Sequence, residues 1–409
     1  MGKNVKRQFP KPSELAPLLQ FSLPTLRRKK RRLEKAYTIW DLRDIAKKRT
    51  PQGPFDYTDG SAESEVSLER ARQAYRDLEF IPSILKDVST ADLTRTALGE
   101  TFAMPLGIAP TGFTRMMQTE GEIAGARAAE KFGIPFTLST LGTTTIEDVV
   151  ASAPNGRNWF QLYMWKDRDG SMALVERAKR AGVKNLVLTV DVPAAGQRIR
   201  DYRNGLTVPP RLTAGTIINA LPRPAWWINF LTTPSIEFAS MKNWEGTVGE
   251  LLDYMFDPTM TWEDLKWIRQ QWDGTLTVKG IQNLEDGKKA AKLGADAILL
   301  SNHGGRQLDR APIMLHLLAD IKKEFKKDYE IHIDTGIMHG ADVLAAVALG
   351  AQFTYVGRAY LYGLMAGGQD GVERALEIMR TQMVRNMKLL GVNSLDELTP
   401  KHVRFLNRQ

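Results

Sequence analysis

The chain of 409 residues contains no cysteine. That absence excludes disulfides, thiolate catalysis, iron–sulfur ligation and covalently attached haem, and it fits a reducing compartment. No apolar run is long enough to cross a bilayer, and the first residues hold no apolar signal core. The expectation is a protein made and kept in the cytoplasm. Histidine is scarce, with five in all, and no pair has clear zinc spacing, so no metal site is expected. A dinucleotide glycine fingerprint is missing too, which argues against a nicotinamide cofactor. Acidic residues are the minority: 56 Lys and Arg stand against 47 Asp and Glu, a net charge of +9. That excess favours anionic partners such as lipid head groups, phosphates or acidic metabolites without selecting among them.

What is present is a globular composition, with length for one large α/β domain or two ordinary ones. Residues 1 to about 36 are polar, proline-spaced and basic, centred on Arg27-Arg28-Lys29-Lys30-Arg31-Arg32. They read as an extended arm, either simply solvated or touching anionic lipid or a neighbouring subunit. Residues 37–409 read as one domain. Thr38 to Lys48 has helical spacing, and Phe55 to Gly60 reads as a turn-rich loop presenting Tyr57.

After Pro105 the chain becomes periodic. Apolar runs Met104–Pro110, Ile134–Thr140, Trp159–Met164, Asn185–Asp191, Thr275–Gly280, Ala297–Asn302, Glu330–Thr335 and Phe353–Arg358 alternate with amphipathic stretches such as Gly121–Phe132, Met172–Ala181 and Trp262–Gln271. Several of those stretches end in glycine, as helix C-caps do. Strand and helix alternating eight times predict a closed parallel (β/α)8 barrel, with chemistry at the C-terminal strand ends. One interval, about residues 200–262, is too long for a barrel connection. It contains Arg223-Pro224-Ala225-Trp226-Trp227-Ile228-Asn229-Phe230-Leu231. This segment suits a membrane interface, or a lid or subunit contact that packs the same aromatics.

The densest chemistry is Ser301-Asn302-His303-Gly304-Gly305-Arg306-Gln307-Leu308-Asp309, just past the sixth run. His303 can take a proton near neutral pH. Arg306 can grip a carboxylate through two parallel hydrogen bonds. Base and clamp on one loop suit proton removal beside a carboxylate. Asp191 could hold His303 in one tautomer, Lys279 could offset charge developing on a cofactor, and Arg198, Arg306, Tyr57 and Tyr163 could enclose an α-hydroxy or α-keto acid. Gly336 and Gly357-Arg358 end runs seven and eight, the usual phosphate site of such barrels. His332 reads as a packed strand residue, and His316 and His402 as bland helical ones.

The 301–309 stretch resembles the signature of the FMN-dependent α-hydroxy acid dehydrogenase and oxidase family. Phe55-Asp56-Tyr57, Ala109-Pro110-Thr111-Gly112, Phe160-Gln161-Leu162-Tyr163, Leu188-Thr189-Val190-Asp191-Val192-Pro193, Val278-Lys279-Gly280 and Gly357-Arg358 follow in the family's order, from about Tyr37 to the C-terminus. Within the family the chain is most similar to actinobacterial L-lactate dehydrogenases linked to quinone or cytochrome.

The resemblance implies oxidation of L-lactate to pyruvate with FMN. His303 would be the base, paired with Asp191. Arg198, Arg306, Tyr57 and Tyr163 would bind substrate. Lys279 would face the flavin N1 edge, and Ser139, Gln161 and Thr189 would bind the isoalloxazine. Pro110, Thr111 and Gly112 would run near N5. Asp334, Gly336, Gly357 and Arg358 would hold the ribityl-phosphate tail.

Two departures stand out. Met338 replaces a common arginine near the phosphate, leaving more of that task to Arg358. Gly112 stands where oxidases often carry alanine, which is compatible with a dehydrogenase that reacts poorly with oxygen.

Electrons would pass to a quinone or cytochrome, with peripheral contact on the inner face of the cell membrane, in a homotetramer or larger assembly. The alternatives are an oxidase that makes hydrogen peroxide, a relative acting on a larger or peptide substrate, and a non-enzymatic lipid- or nucleic-acid-binding barrel. The intact His303, Arg306, Lys279 and Asp191 argue against the last, so no nucleic-acid partner is expected.

Overall fold

The alternation of buried apolar runs with amphipathic stretches folds as expected from strand and helix periodicity. The computed structural model describes residues 11, 28–205, 207–208, 214–234, 236, 239, 246–247, 256–325 and 329–406. Eight parallel strands close a barrel: β1 Leu106–Ile108, β2 Pro135–Ser139, β3 Arg157–Leu162, β4 Asn185–Thr189, β5 Thr275–Ile281, β6 Ala297–Leu300, β7 Glu330–Ile333 and β8 Phe353–Val356. β8 pairs with β1, and β4 pairs with β5 across the long interval, so no strand edge is left open.

Each strand is followed by a helix: α1 Gly121–Phe132, α2 Ile146–Ser152, α3 Arg168–Arg180, α4 Trp262–Gln271, α5 Leu284–Lys292, α6 Met314–Glu324, α7 Gly340–Ala348 and α8 Arg358–Gly367. Their apolar faces bury against the strands, as Leu174, Val175 and Ala178 of α3 do. Gly133 caps α1 in the left-handed conformation, φ 64°. A final helix, Gln369–Leu390, packs across α7 and α8.

Two expectations outside the barrel are corrected. The stretch from Phe55 is not a loop: Gln52–Asp59 is a helix that buries Phe55, Tyr57 and Thr58. Pro54 sits in its first turn, where the missing N–H has no intrahelical acceptor to lose. The described part of the basic arm is not extended either. Arg28–Glu34 is helical, with Leu33 buried, Arg32 Nη2 donating to the Ala366 carbonyl at 2.9 Å and Lys29 paired with Asp370 at 2.5 Å. Arg27 and most of the arm lie outside the described residues.

The long interval contains helices Ile199–Arg203, Ala214–Ala220 and Pro224–Thr232, and a short antiparallel pair joining Thr207–Val208 to Gly246–Thr247. Trp226 stacks on Phe230 with centroids 5.0 Å apart, and its indole N–H donates to the Met116 carbonyl at 2.9 Å. The aromatic segment therefore docks on the body of the barrel. Ile228 and Leu231 face solvent, 46% and 63% exposed.

Candidate active site

The C-terminal ends of the strands open into a cleft whose empty space, its open mouth included, is about 1050 Å³. β6 stops at Leu300, and the chain turns through Ser301 and Asn302 into His303. His303 is held at φ 58°, a conformation that non-glycine residues rarely adopt and that gathers at functional sites. Its Nδ1 lies 2.9 Å from Asp191 Oδ1, and its Nε2 faces the Tyr163 hydroxyl at 3.3 Å. Nδ1–H therefore donates to the carboxylate, leaving Nε2 as the proton acceptor.

Asp191 follows β4, and Lys279 lies on β5 just before a register shift. The Lys279 ammonium stands 3.5 Å from Asp191 Oδ2 and 4.0 Å from Asp334 Oδ2. Burial alone would raise the Asp191 carboxyl, but Lys279 and His303 outweigh it and hold the group below its ordinary range. Burial, partly opposed by Asp191 and reinforced by Lys279, pushes His303 down. At neutral pH the pair is thus carboxylate and neutral imidazole, the state a general base requires.

Two guanidinium groups border the imidazole. Arg306 Cζ lies 4.6 Å from the centre of the Tyr57 ring and Arg198 Cζ 5.9 Å from it. Arg306 Nη1 donates to the carbonyls of Tyr57 and Gly60, which fixes the side chain, while its Nη2 and the Nε of Arg198 are buried without a partner among the described residues. Unsatisfied buried donors of two cations, facing one cleft, fit an anionic ligand. Burial and the neighbouring Arg306 both lower the Arg198 pKa.

The remaining sequence-derived positions divide in two. Pro110, Thr111, Gly112, Asp334, Gly336, Gly357 and Arg358 line the cleft. Ser139, Gln161 and Thr189 do not; they are buried at the ends of β2, β3 and β4. There Ser139 Oγ donates to Gln161 Oε1 at 3.1 Å, and Gln161 Nε2 and Thr189 Oγ1 have no partner among the described residues. These orphaned groups suit the heteroatom edge of an isoalloxazine ring.

Arg358 is more occupied than expected. Its three guanidinium nitrogens donate to the carbonyls of Thr58, Gly304 and Gly60 at 3.0, 2.8 and 2.7 Å, and burial lowers its pKa to about 10.

Gly112 also gains a reason that the sequence does not show. A Cβ there would meet Leu141 Cβ at 2.7 Å and the Leu141 carbonyl oxygen at 3.1 Å, so packing requires the glycine.

Sequence reasoning missed Arg72. It belongs to the helix Val66–Arg76, where an arginine reads as surface. Gly336 packs so closely on this helix that a Cβ would come within 2.8 Å of the Ala71 carbonyl, and Arg72 enters the cleft wall beside it. Its guanidinium lies 4.9 Å from the Trp40 ring, and its Nη2 is buried without a partner among the described residues. Met338 and the N-terminus of α8, which has no side-chain cap and no acidic residue in its first turn, line the same region. Among the described residues, His332 is a packed strand residue as expected, bonded to the Tyr355 hydroxyl at 2.9 Å and to Glu330 at 3.0 Å.

Residues 46–405 match the model of the FMN-dependent dehydrogenase family. The chain is 58% identical over 404 residues to a Mycobacterium tuberculosis protein provisionally named L-lactate dehydrogenase, covering 99% of this chain and 98% of that one. It is 40% identical over 366 residues to the L-lactate dehydrogenase of Vibrio cholerae, covering 88% and 96%. The structure of the monotopic membrane protein (S)-mandelate dehydrogenase superposes with a TM-score of 0.87 at 34% identity, covering 91% of this chain and all of that one. A flavocytochrome b2 mutant with pyruvate bound gives 0.78 at 30% identity, covering 91% and 87%. With 360 matched positions converging on a barrel whose strand ends hold an imidazole, its carboxylate and unpaired guanidinium donors, the chain belongs to the FMN-dependent dehydrogenase family.

Proposed function

We propose that the protein oxidises L-lactate, a small (S)-2-hydroxy acid, to pyruvate and passes the electrons to a quinone or cytochrome at a membrane surface. The observation that carries this reading is the hydrogen-bonded His303–Asp191 pair beside two guanidinium groups with unsatisfied donors. Arg306 and Arg198 bind the substrate carboxylate. Tyr163 and His303 receive the hydroxyl, whose proton moves to His303 Nε2. Asp191 stabilises the imidazolium that forms. Bound FMN supplies the acceptor for the hydride equivalent from the substrate carbon. Lys279 places a fixed positive charge where negative charge develops. Ser139, Gln161, Thr189, Pro110, Thr111 and Gly112 would hold the ring, and Asp334, Gly336, Gly357, Arg358 and Arg72 the tail.

No helix among the described residues is long and apolar enough to cross a membrane. The exposed Ile228 and Leu231 and the similarity to a monotopic membrane protein support peripheral attachment, on the inner face of the membrane. A homotetramer or larger assembly, checked by sedimentation, is part of this reading.

The test is His303→Gln. The variant is expected to bind FMN and to lose roughly two to four decades in the rate at which L-lactate reduces it. Anaerobic stopped-flow bleaching near the wild-type rate would remove His303 from the base role.

A further inference from the structure

α8 walls two cavities. Leu361 lines the active-site cleft, and Met365 lines a second, open-mouthed cavity with about 730 Å³ of empty space, its mouth included. Four helical residues span about 6 Å along the axis, so one turn separates the two spaces. A second element makes the same link. Gly112 borders the cleft, and Arg115 and Met117, only a few residues on, border the second cavity.

The second cavity has a built wall. Trp226 and Phe230 of the helix Pro224–Thr232 present parallel rings, 10° apart in plane, and the bond from Trp226 to the Met116 carbonyl fixes the pair. Arg49 borders the same space. Burial lowers its pKa, and among the described residues no carboxylate pairs with it. Arg115 Nη2 is tied to the Pro234 carbonyl at 2.7 Å. The opposite side of the aromatic helix is apolar and open: Ile228 and Leu231 are exposed, as are Ile218 on the helix before it and Leu221 just after that helix, 68% and 61%.

These features select a ligand class. Flat stacked aromatics suit a planar ring. Guanidinium groups suit carbonyl oxygens that gain negative charge on reduction. Exposed aliphatic residues beside the cavity suit delivery from a hydrocarbon phase. The wall also carries the Glu120 carboxylate and the Lys29 ammonium, the latter paired with Asp370. We propose that this cavity holds the ring of a membrane-soluble isoprenoid quinone, the electron acceptor of the enzyme. The two electrons and two protons that leave L-lactate on its oxidation to pyruvate, one proton by way of His303 and the hydride equivalent by way of FMN when bound, would reduce the quinone to the hydroquinone, so the overall exchange balances. This inference rests on the reading of the cleft as an FMN site.

The experiment compares the wild-type holoenzyme with Trp226→Ala and, as a milder second variant, Arg49→Gln. Three rates are read: anaerobic flavin bleaching by L-lactate, turnover with ferricyanide, and turnover with a short-chain benzoquinone. Quenching of tryptophan emission by the same quinone reads binding directly. The expected result is a loss of at least about tenfold in kcat/KM for the quinone, on the scale of one lost aromatic contact and its buried area. Bleaching and ferricyanide turnover stay unchanged, and Trp226→Ala loses the quenched fraction.

Unchanged quinone kinetics in both variants would overturn the assignment. So would a parallel fall in all three rates, which would mark damage to the fold or the cleft. Loss of binding to anionic vesicles with quinone turnover intact would overturn it in favour of a lipid site. Failure of the FMN reading itself looks different: the wild-type protein would not bleach with L-lactate at all.

Discussion

Replacing Asp191 by asparagine tests the electrostatics of the site with little change in shape. In the resting enzyme the carboxylate accepts from His303 Nδ1 at 2.9 Å and faces Lys279 at 3.5 Å, with its side chain fully buried. With neutral imidazole, the variant loses one charge-assisted hydrogen bond, about 1.5–3 kcal/mol. Once the imidazole is protonated, the missing carboxylate also removes a Coulombic attraction of about 5 kcal/mol at an effective dielectric constant near 20. It leaves two cations, His303 and Lys279, facing each other at 3.5 Å.

The difference between the two states, roughly 3 kcal/mol, falls on the barrier and predicts a loss of at least about a hundredfold. An asparagine that donates to Nδ1 would also force the wrong tautomer and extend the loss towards ten-thousandfold, the scale seen when a triad aspartate is amidated. The assay is anaerobic single-turnover bleaching at saturating L-lactate, with FMN occupancy measured first. A rate within about threefold of wild type would show that Asp191 does not stabilise the imidazolium, and the reasoning would fail.

Other outcomes follow from the same geometry. Arg72→Met is expected to weaken FMN binding by about tenfold or more while leaving riboflavin binding unchanged, because the lost contact is to phosphate; equal loss for both ligands would place Arg72 away from the phosphate. The His303 pKa lies below its ordinary value, so the rate of flavin reduction should be flat above neutrality and fall only as pH drops well below about 6.5. The same depressed pKa makes the unfolded chain the better proton acceptor, so this group costs the fold stability as pH falls through that window. A rate that declines from pH 8 downwards would contradict the shift. Gly112→Ala should lower thermal stability, by about 1–3 kcal/mol of overpacking against Leu141, which calorimetry reads; an unchanged melting temperature would show that Leu141 yields freely.

The barrel was legible because short, largely apolar runs alternate eight times with longer amphipathic stretches; run length and alternation together mark both. His303, Asp191, Lys279, Arg198 and Arg306 were legible from residue type and place at the strand ends. The helix Gln52–Asp59 was hidden by Gly53 and Pro54, which read as a turn although proline is tolerated in a first helical turn. The helix Arg28–Glu34 was hidden by its charge; burial of Leu33 and contacts from distant Ala366 and Asp370 hold it. Arg72 carried no local signal, since its place beside Gly336 comes from one helix packing on a loop far away in sequence. The second cavity joins the N-terminal helices, the long insertion and α8, a meeting that no sequence window contains.

The most direct measurement is an anaerobic titration of the purified holoprotein with L-lactate and, separately, D-lactate, followed by the flavin spectrum. A base fixed on one side of the substrate and two guanidinium groups fixing its carboxylate predict full bleaching by L-lactate and none by D-lactate. A yellow protein that neither enantiomer bleaches, or that both bleach equally, would contradict the account.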